Sequence, residues 1–169
     1  GVIQIVTGLE AKVLTCAGEL DLNDKWRNKV DYIFGSIHRI PSRSNQFHSI
    51  SDKPLNKSKV YEDWLLTIQG VLKNDSVDII AHPAAELKHY KIPLDNQTIE
   101  MLCYLGQRFG KAFEVNVKHQ VPVQPFLTQL INRNILLSIG SDSHSIIEQQ
   151  LYIKDIIVIH EILARYNLI

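Results

Sequence analysis

Short runs of β-forming residues alternate with segments of helical period along this chain, and most of the runs stop a few residues short of a histidine or a carboxylate. That alternation restricts the fold more than any other feature. A strand followed by a helix returns the chain to the same end of a sheet, so repeated units give mainly parallel strands wrapped by helices. The runs are expected at residues 2–7, ending at Gly8-Leu9-Glu10, and at residues 12–17, 32–35, 77–81, 112–115 and 135–139. A short helix is expected over 24–30. Val60, Trp64, Ile68 and Val71 recur at helical spacing, with Ser58 placed to cap the start. Further helices are expected over 95–109, where Gly110 is a stop, around 126–132, and over 152–166, where Ile156, Ile159 and Leu163 form a stripe. Residues 39–57 are rich in Ser, Asn, Pro and His and read as a long surface loop.

With 169 residues the chain suits one globular domain, and 45% hydrophobic against 21% charged residues fits a folded soluble protein. No stretch approaches the roughly 18 apolar residues of a membrane span, and the start has no basic leader, so a cytoplasmic location is expected. Eighteen basic residues balance eighteen acidic ones without a basic stripe, which argues against a large nonspecific nucleic-acid surface. A local phosphate site stays open, because bound metal ions bring their own positive charge. Cys16 and Cys103 belong to no CxxC pair and read as buried, reduced thiols, with a disulfide as the alternative.

In a parallel α/β fold, residues just beyond the C-terminal strand ends share one rim, where sites form. Glu10, His38, His82, Asp142 and His144 are all expected there. Asp142 and His144 follow a strand in LLSIGSDSH, where Gly140 permits close approach of the backbone and positions two apart in extended chain face the same way. His38 follows the strand in DYIFGSIH, and His82 leaves a strand in VDIIAHP, where Pro83 fixes the backbone. Singly, each is a weak signal, and a loop hydrogen bond or a structural salt bridge is its ordinary explanation. Jointly, carboxylate oxygen and imidazole nitrogen from several strand ends suit zinc, manganese or iron. Such ions lower the pKa of a bound water, hold substrate oxygens and stabilise the leaving oxygen.

The motifs GLE at 8–10, DYIFGSIH at 31–38, DIIAHP at 78–83, EVN at 114–116 and GSDSH at 140–144 together resemble the PHP family of polymerase and histidinol phosphatase domains. The resemblance implies an α/β fold, a distorted TIM-like barrel of seven β/α units, here incomplete and lacking the first units. Residues 1–169 would then be a single metal-dependent hydrolase domain, the C-terminal two thirds of the complete one. By resemblance, Glu10 bridges two ions, His38 and His82 are single-nitrogen ligands, and Asp142 and His144 are the final ligand pair. Glu114 and Asn116 match the rim motif. The complete domain of such a family holds two or three divalent ions (zinc, manganese or iron), and this chain fewer. Family members open with a His-x-His element that nothing ahead of Glu10 supplies. The resemblance therefore implies a start downstream of that element, a barrel completed by another segment or chain, or a domain that has lost catalysis.

The function expected on this reading is hydrolysis of a small phosphomonoester by metal-activated water. Arg39, Arg43, Lys12, Lys118 and His119 are candidate contacts to substrate phosphate. The alternatives are a phosphodiesterase or 3'-5' exonuclease, which needs an extended basic or aromatic groove, and a noncatalytic metal-binding interaction module.

Overall fold

The computed structural model describes residues 4–44, 46–51 and 54–166, which form two compact units, Gly1–Ala81 and His82–Ile169. Strands and helices alternate in both, giving an α/β chain of five strands and six helices among the described residues.

The first unit contains β1 (Gly8–Lys12), α1 (Asp24–Arg27), β2 (Tyr32–Ser36), α2 (Lys57–Lys73) and β3 (Ile79–Ile80). β1 pairs in parallel with β2, Gly8 opposite Tyr32 and Lys12 opposite Ser36, and β2 pairs in parallel with β3. The first strand thus falls later than residues 2–7. Residues 4–7 are irregular with Ile5 89% exposed, and Val2 and Ile3 lie outside the described residues. Nor is 12–17 a strand: Lys12 ends β1, Val13 makes an isolated antiparallel bridge to Leu20, and the backbone turns at Thr15–Gly18. Gly-Leu-Glu-Ala-Lys has little intrinsic β-preference. Pairing with the buried β2 decides its conformation, because β-propensity mostly measures how a residue fits its neighbours.

α2 buries the expected stripe of Val60, Trp64, Ile68 and Val71, together with Asp63, Thr67 and Leu72. Its N-cap is Asn56, whose side chain accepts from the Lys59 amide at 3.1 Å; the cap expected at Ser58 is one residue inside the helix. Residues 39–56 carry no helix or strand where described, apart from an isolated bridge between Pro41 and Phe47.

The second unit contains α3 (Ala85–His89), α4 (Asn96–Arg108), β4 (Ala112–Asn116), α5 (Gln124–Asn132), β5 (Leu137–Gly140) and α6 (Ile146–Ala164). Asp95 caps α4 through the Thr98 amide at 2.7 Å, and Gly110 stops the chain after it with φ +63°. β4 and β5 are parallel, Glu114 facing Ser138 and Asn116 facing Gly140. Phe113 and Phe126 meet edge to face at 5.5 Å in a core that includes Leu102, Cys103, Leu130 and Leu163. α6 begins six residues before the expected start, and of its stripe only Leu163 is fully buried. Ile146, Ile147, Leu151 and Ile157 on the same helix are exposed. Cys103 is buried as expected, Cys16 only partly, and both thiols are free. No described helix is long and apolar enough to cross a membrane.

Candidate functional site

Each unit gathers part of the expected ligand set. In the first, Glu10 lies in the middle of β1 rather than beyond a strand end, and His38 lies two residues past β2. The parallel register sets Glu10 opposite Phe34 and Lys12 opposite Ser36, so the chain leaving β2 emerges beside the end of β1. His38 Nε2 lies 3.1 Å from Glu10 Oε1 and 3.1 Å from Ser36 Oγ. An oxygen and a nitrogen bound to one tetrahedral zinc at its usual bond lengths stand roughly 3.3 Å apart, so this pair fits a shared cation with little adjustment.

In the second unit the C-terminal ends of β4 and β5 lie side by side, which puts the loop carrying Lys118 and His119 against the loop carrying Asp142 and His144. His119 Nε2 is 2.9 Å from Asp142 Oδ2, and His144 Nε2 is 3.8 Å from Asp142 Oδ1. The Lys118 ammonium donates to the Asp142 carbonyl at 3.0 Å and lies 3.6 Å from Glu148 Oε2. Asp142 and His144 are therefore together as expected, but not by extended geometry: Asp142 has φ +49°, in the left-handed region, and the His144 side chain is exposed. Ser145 caps α6 through the Glu148 amide, and Glu148 reaches back to accept from the His144 amide at 2.8 Å. That bond, helped by the Lys118 charge, holds the Glu148 carboxyl below its ordinary value.

His82 is buried, with φ +27°, and its amide donates to Glu114 Oε2 at 2.6 Å. Its ring lies 5.2 Å from that of His119. Glu114 is itself buried and fits against Gly140, where an added Cβ would overlap Glu114 Oε1. One carboxylate thus ties the backbone of His82 to the end of β5, and only glycine leaves room for it. Asn116, at the end of β4, accepts from the His119 amide at 3.0 Å.

The candidate phosphate contacts separate into two kinds. Arg43 is engaged by Asp63 at 3.4 Å and Glu62 at 3.9 Å, and Lys118 and His119 are held by Asp142. Lys12 and Arg39 instead lie over the ring of Phe47, at 5.2 and 4.6 Å from its centroid. Two arrangements were not anticipated from sequence. One is the Phe47 contact; the other is Asp63, 1% exposed, bonded at 2.8 Å to His48. Helical spacing did carry the second signal, since Asp63 shares a face with Val60, Trp64 and Thr67.

On this α/β scaffold, imidazole and carboxylate groups stand within reach of one another at the ends or edges of parallel strands, the donor set of a candidate divalent-cation site. The chain is 28% identical over 149 residues to a protein of Acetivibrio thermocellus named "Probable phosphatase", covering 84% of this chain and 53% of that protein. It is 24% identical over 150 residues to a probable phosphatase of Caldanaerobacter subterraneus subsp. tengcongensis, covering 84% and 51% respectively. A probable phosphatase of Thermoanaerobacter pseudethanolicus is 25% identical over 150 residues. The chain thus spans about half the length of the curated relatives it matches. No family model matches it.

Proposed function

We propose that this chain is part of a divalent-metal-dependent phosphatase of the PHP type, acting on a small phosphomonoester. Relatives named as probable phosphatases support the reaction class. The observation that carries the metal dependence is the Glu10–His38 pair, an oxygen from β1 and a nitrogen from the chain just past the adjacent parallel strand β2, 3.1 Å apart. Glu10, His38, His82, Asp142 and His144 are the proposed ligands of zinc, manganese or iron, and the α/β alternation is compatible with part of a TIM-like barrel. Bound ions supply Lewis acidity and lower the pKa of a water ligand. Glu114 fixes the His82 backbone from within the second unit, while Glu148 and Lys118 orient the loop bearing Asp142 and His144.

The test is hydrolysis of a panel of phosphomonoesters, phosphodiesters and single-stranded oligonucleotides by the metal-stripped and metal-restored chain. The proposal expects turnover of monoesters that returns with divalent metal and is lost in Asp142→Ala without loss of fold. Turnover confined to diesters or oligonucleotides would favour the nuclease reading. Unchanged turnover in Asp142→Ala and His144→Ala would remove these residues from the site, and no turnover under any metal would leave a noncatalytic module.

A further inference from the structure

Within the first unit, two cations with no ion-pair partner among the described residues stand next to the proposed ligands Glu10 and His38. Lys12 is two positions from Glu10 on β1, so the two side chains leave the same face of the strand about 6.7 Å apart along it. Arg39 directly follows His38. Both reach one aromatic ring: the Lys12 ammonium is 5.2 Å from the Phe47 centroid and the Arg39 guanidinium 4.6 Å. Sharing a ring puts an upper limit of about 10 Å on the separation of the two charges.

The ring is itself well supported. Phe47 bridges to Pro41, and its neighbour His48 donates its amide to the Ile40 carbonyl at 2.9 Å. The His48 ring is 2.8 Å from the buried Asp63 of α2. The Lys12 backbone is clamped from both sides by Asp21, whose carboxylate accepts the Lys12 amide at 2.6 Å and whose amide donates to the Lys12 carbonyl at 2.9 Å. A loop rich in Ser and Asn is thus pinned to the helix core at the residue after Phe47. Holding two like charges close costs repulsion in the free protein, and that cost falls when a dianion lies between or beside them.

We propose that Lys12 and Arg39, positioned on Phe47, form the recognition site for a phosphoryl dianion. The proposal rests on the phosphatase reading above and deepens it by assigning charge selectivity. A monoester phosphate carries close to two negative charges at neutral pH and a diester one, so a paired cation site discriminates between them. Lys12 serves as a compact point charge, while the Arg39 fork bonds two phosphoryl oxygens. Arg43, whose charge is already offset by Asp63 and Glu62, has no part in it.

The experiment titrates inorganic phosphate into the chelator-treated chain and follows binding by phosphorus NMR, so that the result does not depend on metal or turnover. In parallel, zinc binding is measured by calorimetry, and circular dichroism checks that each variant is folded. The double variant Lys12→Gln/Arg39→Gln is expected to weaken phosphate binding by roughly tenfold or more and to leave zinc affinity within about twofold. Phe47→Leu, which keeps the loop apolar but removes the ring, is expected to weaken phosphate binding by roughly threefold. Phosphate binding that disappears in the double variant supports the site even if the chain hydrolyses no phosphate ester. Phosphate affinity equal in wild type and double variant, or no binding to wild type at about 20 mM phosphate, overturns it even if metal-dependent turnover is found.

Discussion

Replacing Gly140 by alanine should cost far more than one added methyl group on a strand end. The new Cβ would overlap Glu114 Oε1 and lie 2.9 Å from Glu114 Cδ, so the carboxylate has to move. It cannot move freely, because Glu114 is buried and accepts the His82 amide at 2.6 Å. Displacing it costs overpacking strain and leaves a buried amide with a weakened charge-assisted bond, which together amount to about 2–4 kcal/mol. His82, held at φ +27°, loses the contact that supports a backbone conformation unusual for a residue with a side chain. The assay is urea unfolding followed by far-ultraviolet circular dichroism on four proteins: wild type, Gly140→Ala, Glu114→Ala and the double variant. With Glu114 truncated the overlap disappears, so the second substitution should then cost less than about 1 kcal/mol. The same cost for Gly140→Ala in both backgrounds, or a cost below about 0.5 kcal/mol in the wild-type background, would refute the reasoning.

Gly70→Ala tests a conflict between helix propensity and packing. Propensity alone favours alanine inside α2 by about 1 kcal/mol, but a Cβ there would overlap the backbone of Ala17 and lie 2.7 Å from the Gly18 amide nitrogen, atoms that cannot rotate away. Urea unfolding monitored by tryptophan fluorescence should show a net loss of about 1–3 kcal/mol, and a gain in stability would contradict the packing. Burial pushes the Cys103 thiol up to about 11, so at pH 8 it is almost wholly protonated, whereas Cys16 is partly accessible. An aromatic disulfide reagent should therefore react with one thiol per native chain and with two in denaturant. Because the folded thiol value is raised, the contribution of Cys103 to stability is complete below the unfolded value and is lost as pH climbs towards about 11. The Glu148 carboxyl is held low by the His144 amide, so its contribution is present above the ordinary glutamate value and lost as pH falls through the lowered one. Glu148→Gln should accordingly be less stable than wild type at neutral pH and equal to it in strong acid, as read from thermal unfolding at each pH. A difference independent of pH would count against the charge-assisted bond.

Much of the architecture was readable because several segments carry strong local patterns. The stripe of Val60, Trp64, Ile68 and Val71 is the buried face of α2, and the run expected at 32–35 lies in β2, whose Ile33 is fully buried. β1 was displaced because residues 2–7 have the β-branched composition, while residues 8–12 owe their conformation to pairing with β2. α3 was not anticipated, since its five residues are too few for a helical period and it opens at Ala84 in the left-handed region. The early start of α6 was hidden by its even composition: apolar residues occur all round it, so no stripe marks its first turns. At the candidate site, the sequence showed ligand types close in the chain, Asp142 and His144, and the strand-end placement of His38. It did not show which cations were already neutralised. Arg39 and Arg43 look alike in a polar loop, and only the fold sets one on Phe47 and the other against Asp63. Glu114 was legible as a motif residue, but its bond to the His82 amide joins residues 32 positions apart and has no local signature.

Divalent-metal binding by the chelator-stripped chain tests the central claim most directly. Calorimetric titration with zinc and with manganese should show saturable binding of at least one equivalent, weakened roughly tenfold or more by Glu10→Gln, His38→Ala or Asp142→Asn in folded protein. A chain that binds neither metal, or that binds them equally well after all three substitutions, would contradict the account.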